Sequence, residues 1–160
     1  MNEENRYTLK EAHLKFAKMT NGQVWNLLER SDRSPDEDED MLLAAMTSFY
    51  HWKQVGSAVN DQRGRWILSR VYTSLGRAQD AVEQAEMCFE ITESYQDEME
   101  DFDLAFAQEG LARAYAMAGD LNKAKEHQQL AIKLGEEIKD PEDRKIFMDD
   151  LQSGNWFGLK

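Results

Sequence analysis

The chain has 160 residues, 41% of them apolar and 31% charged, and its 31 acids against 19 Lys and Arg give a formal net charge of −12. That balance excludes a disordered chain, and its average field repels nucleic acid and anionic lipid. The single cysteine, Cys88, excludes an intramolecular disulfide and a thiolate metal cage.

The longest purely apolar run, Met41 to Met46, is six residues, far short of the roughly 18–20 that a bilayer span needs. No apolar stretch follows Met1–Arg6, so no signal peptide is expected and the cytoplasm is the expected compartment. The only two prolines, Pro35 and Pro141, lie between periodic segments rich in Ala, Leu, Glu, Gln and Met, and no segment alternates with period two. Helices throughout are therefore predicted.

The first helix is expected to start at Thr8, with Glu11 completing a capping box and Leu9, Ala12, His13, Phe16 and Ala17 forming its apolar stripe. Asn21-Gly22 is read as a break, followed by a short helix through Val24, Trp25, Leu27 and Leu28. Ser31 to Asp36 reads as a loop, and the acids Asp36 to Asp40 suit the positive end of the next helix, which carries Leu42, Ala45, Met46, Phe49, Tyr50 and Trp52 to about Gly56. Further helices are predicted over 57–75, stopped by Gly76, over 78–95, and over 101–118, stopped by Gly119. Asp120 then caps a helix to about Ile138, and Asp140-Pro141 opens a last one to about Gln152. Residues 93–103 form an acidic linker, and 153–160 a tail bearing Trp156, Phe157 and Leu159.

A repeat organises the middle. Leu68, Tyr72, Gly76 and Ala81 recur at identical spacing as Leu111, Tyr115, Gly119 and Ala124, offset by 43 residues, and Cys88 and Ala131 follow the paired alanines by seven. This pattern resembles the tetratricopeptide (TPR) helix-turn-helix. The offset exceeds the ~34 residues of the standard unit, so longer helices or an expanded linker are expected. Ser69 and Ala112 stand where that family usually has glycine. The run from His51-Trp52 through Asn60, Arg63-Gly64 and Trp66 to Ser69-Arg70-Val71-Tyr72, with Asp103-Leu-Ala-Phe106 and Asp140 to Arg144, is similar to a group of bacterial TPR-like proteins. That resemblance implies a shared fold and carries no activity.

The expected architecture is all-α, one antiparallel array of about seven helices of α-solenoid type. An N-terminal helical arm takes 1–35, TPR-like hairpins 36–138, and a capping helix with the apolar tail 139–160.

Candidate chemistry is sparse. Asp36, Asp38 and Asp40 have the start of a calcium-loop spacing, but Met41 and Thr47 stand where glycine and glutamate are required. No metal or cofactor is expected. Phosphate-loop, nucleophile-elbow and zinc-protease motifs are missing from the sequence, and Cys88 falls at a small-residue packing position. The distinctive feature is cationic: residues 60–77 hold four arginines and one acid. Asn60, Arg63, Ile67 and Arg70 share a helical face. The TPR resemblance places Arg63 and Arg70 on a concave groove, and Arg113 occupies the position of Arg70 in the next hairpin.

Two readings follow. The arginines either anchor an anionic ligand through their guanidinium forks or pair with the chain's own acids, Glu109 and the 93–103 stretch among them. On the first, the leading expectation is a non-enzymatic module binding an acidic or C-terminal peptide, with Arg63, Arg70 and Arg113 as anchors, Asn60 beside them and Trp66 as an apolar wall. The alternative is a small-molecule sensor or enzyme with a pocket around His51, Trp52, Asn60 and Arg63. The aromatic tail is expected to dock on this chain or in a homodimer.

Overall fold

The structure is a computed structural model that describes residues 6–159. Within them run α1 (Leu9–Leu28), α2 (Pro35–Val55), α3 (Ala58–Ser74), α4 (Ala78–Ser94), α5 (Asp101–Ala118), α6 (Leu121–Glu136) and α7 (Pro141–Gln152), with one 3₁₀ turn at Gln96–Glu98. The described residues form no strand, and no helix among them is long and apolar enough to cross a membrane.

Local chemistry sets the helix starts. Thr8 and Glu11 close a capping box on α1, and Ser34 and Glu37 close another on α2, where Pro35 occupies the first turn. Asp120 caps α6 through the amide of Lys123, and Asp140 caps α7 through those of Glu142 and Asp143. Both hairpin bends use glycine in the left-handed region, Gly76 at φ 76° and Gly119 at φ 86°.

Helices pack as consecutive pairs, α1 on α2, α3 on α4 and α5 on α6. Contacts of α2 with α3, of α4 with α5 and of α3 with α5 stack the pairs, and α7 lies across α5 and α6. The repeated residues are structural. Leu68, Tyr72, Leu111, Ala81, Ala124, Cys88 and Ala131 are all buried. Ser69, at the position where glycine was noted as usual, donates its hydroxyl to the carbonyl of Ala81 at 2.8 Å and so ties α3 to α4.

Two expectations about the first helices are corrected. Asn21-Gly22 does not break α1, which is continuous. Its buried face is Ala17, Thr20 and Val24, and Ser48 of α2 bonds the Ala17 carbonyl at 2.8 Å. That burial outweighs the roughly 1 kcal/mol that one internal glycine costs. The buried stripes also differ from those expected. Small residues let α1 and α2 approach closely, so Leu9, Phe16, Met46 and Tyr50 remain exposed.

Two core clusters result, one from α1 to α5 around Met41, Val71 and Leu111, the other around Phe147 and Ile138. A row of rings joins them. Trp25 lies 5.9 Å from Trp66, Trp66 lies 5.0 Å from Phe106, and Phe106 lies 4.8 Å from Phe147.

Candidate functional site

The arginines do converge, and they converge on the chain's own acids. Arg63 makes a two-pronged pair with Asp103, Nε to Oδ1 at 2.9 Å and Nη2 to Oδ2 at 3.0 Å. Asp103 is buried, whereas the Arg63 side chain is 46% exposed. The hydrogen bonds to Asp103 hold the Arg63 pKa above its ordinary value, against the opposing effect of burial. Arg70 donates to Glu109 at 2.9 Å and to both oxygens of Asp150, at 3.2 and 2.7 Å. Arg113 donates to the same Glu109 oxygen at 2.5 Å. Its two terminal nitrogens bond the carbonyls of Asp150, Ser153 and Asn155. One buried cation, Arg113, and one partly buried cation, Arg70, thus face the buried Glu109 and the partly buried Asp150, as desolvated charges require.

This corrects the expected cradle. Arg70 and Arg113 do lie on neighbouring helices and face one centre, but α7 and the tail fill it. The Asp150 carboxyl is pushed above the usual carboxylate range, first by burial and then by the Glu109 charge, with Arg70 and Arg113 opposing. The tail docks on its own chain, where Trp156 lies 4.2 Å from the Arg113 guanidinium and donates to the Leu151 carbonyl.

A cavity of about 410 Å³ opens beside this network, bordered by α1, α2, α3, α5 and α7. Six rings line it, those of Trp25, Phe49, Trp52, Trp66, Phe102 and Phe106, and Ile146 stands 56% exposed at its edge. Of the residues singled out from sequence, Asn60, Arg63 and Trp66 border it, as does Trp52. Arg70 and Arg113 border a separate cavity of about 690 Å³, which shares Trp25 with the first. His51 borders neither; its Nδ1 lies 2.8 Å from Nδ1 of His13, bridging α1 and α2.

Sequence reasoning missed Gln62 and Asp103. Gln62 is 1% exposed and lines the ring-walled cavity, with its amide nitrogen held by Thr92 Oγ1 and the Asp103 carbonyl, both at 3.1 Å. A glutamine inside a helix, here between Asp61 and Arg63, carries no signal by itself. Asp103 closes the capping box at the start of α5, and that spacing, Glu100 followed three residues later by Asp103, was the available clue.

Comparison with family models, with curated proteins and with solved structures finds no match to this chain.

Proposed function

We propose that this chain is a non-enzymatic interaction module of TPR-like build that holds a peptide segment along the inner side of its helices. The observation carrying this reading is the ring-lined cavity; the second cavity shares its wall residue Trp25, which puts two adjacent recesses within reach of one extended segment. Its apolar walls with a few polar groups are the composition of a recognition pocket, and its volume lies within the ~300–1,000 Å³ usual for such sites. The acidic or C-terminal character expected of the segment rests on Arg63, since the charges of Arg70 and Arg113 are engaged by Glu109, Asp150 and the tail carbonyls.

Panning a displayed random-peptide library against the protein tests the reading. Enriched peptides should bind the wild type and lose binding to Ile146→Trp, which narrows the mouth at an exposed position and leaves the helical circular dichroism unchanged. Peptides that bind the variant equally well, or a library with no enrichment, defeat it.

A small-molecule sensor is the second reading, favoured by Trp52, Asn60 and Arg63 bordering one cavity. It expects a metabolite that raises the melting temperature of the wild type and not of Ile146→Trp. His51 has no part in it, because its ring nitrogen is turned to His13.

A further inference from the structure

The cavity holds a hydrogen-bond acceptor that the protein leaves unused. Both bonds made by the Gln62 side chain come from its amide nitrogen, and its Oε1 accepts none among the described residues. Fully buried side-chain nitrogens and oxygens without a partner number one among those residues, Arg65 Nε. The Gln62 oxygen therefore keeps an open side, although the residue as a whole is 1% exposed, and the opening that Gln62 borders is this cavity.

We propose that the cavity selects a peptide whose anchor is an aromatic side chain with its own donor, tyrosine or tryptophan, which fills the ring-lined space and donates to Gln62 Oε1. The proposal rests on the peptide reading above and names the residue that such a peptide must present. An anchor without a donor would cover the oxygen and remove it from water, and an acceptor buried without a partner costs about 1–3 kcal/mol. Phenylalanine and leucine are penalised in that way. Ring walls favour an aromatic occupant over an aliphatic one through edge-to-face packing.

Charge argues for a neutral anchor. Arg63 is already paired with Asp103 where the anchor sits, so a charged anchor gains no net counter-charge there, and the acidic character assigned to the segment falls outside its anchor, at the exposed edge of Arg63. A carboxylate anchor would also enter against the field of a −12 chain. A lysine anchor would meet the half-exposed Arg63 guanidinium. Arg63 Nη1, which has no hydrogen-bond partner among the described residues, is left to donate to a backbone carbonyl of the segment.

The test uses four blocked tripeptides, acetyl-Gly-Xaa-Gly-amide with Tyr, Trp, Phe or Leu in the middle, titrated at millimolar concentration and followed by saturation-transfer NMR. Tyr and Trp should bind at least about fivefold more tightly than Phe, the low end of the effect of leaving a buried acceptor unpaired. Gln62→Met should bring the Tyr and Phe peptides to parity, and Ile146→Trp should weaken all four. Should Gln62→Met lose its helical signal, the wild-type ranking decides alone. Phe equal to or tighter than Tyr and Trp overturns the selection while leaving the peptide reading standing. Binding of none of the four removes both, and undiminished binding to Ile146→Trp places the anchor outside this cavity and overturns the proposal.

Discussion

Trp66 and Glu109 occupy the same place in successive hairpins and bond side chain to side chain, the indole N–H donating to Glu109 Oε2 at 3.2 Å. The other Glu109 oxygen accepts from Arg70 and Arg113. One buried carboxylate thus links a wall of the ring-lined cavity to the clamp on α7. Glu109→Gln keeps an acceptor for Trp66 but leaves two guanidiniums facing Asp150 alone. Removing one member of a buried ionic group costs about 3–5 kcal/mol. The urea midpoint should fall accordingly, and an unchanged midpoint would show that the cluster contributes no net stability.

The Arg113 clamp also dictates the backbone beneath it. Gly154 sits at φ 74°, and a Cβ there would lie 2.9 Å from Arg113 Nη1. Gly154→Ala should cost about 1–2 kcal/mol for the left-handed backbone, with further loss as Arg113 shifts from the Ser153 carbonyl. Removing residues 153–160 should lower the melting temperature and leave the solution mass per particle that of one truncated chain, because Trp156 packs within its own chain. A wild-type dimer that the truncation converts to monomer would contradict this assignment of the tail.

The helix order was legible because its signals are local. Thr8 with Glu11, Asp120, Asp140-Pro141 and the two bend glycines act through bonds within a few residues of themselves. Asn21-Gly22 was misread because burial of Thr20 and Val24 against α2 is a tertiary effect that outweighs a local breaker. The arginines were legible as a group but not as to their partners. Arg113 with Glu109 is an i, i+4 pair visible in one helix, whereas Arg70 with Asp150 joins residues 80 apart. The cavity had no sequence signature, since its walls come from five helices.

Cys88 gives a clean probe of the central packing. It is 1% exposed, and burial pushes its thiol up to about 12, with the Thr92 hydrogen bond opposing. Thiolate is the reactive species, so a thiol reagent such as dithionitrobenzoate should be excluded in the folded protein at neutral pH. Full reaction should appear in denaturing urea. Stoichiometric labelling within minutes under native conditions would mean that α4 opens far more readily than its packing implies.

His127 supplies a pH dependence whose sign can be worked out. Its ring stacks on Tyr115 at 5.6 Å and its Nδ1 lies 2.7 Å from Gln108 Oε1. Burial, with a smaller contribution from Lys123 and against Glu126, holds its pKa below the ordinary 6.5. The folded chain therefore binds this proton less readily than the unfolded chain. Stability from His127 is complete above the unfolded value and is lost as pH falls through the lowered folded one. His127→Gln, which keeps a donor for Gln108 and cannot charge, should flatten that part of the profile. Urea midpoints of both proteins across pH 7.5 to 5 measure it, and the wild type should fall more steeply on the acid side. Parallel profiles would mean that the imidazole charges without cost, and hence that its contact with Tyr115 and Gln108 opens readily to water.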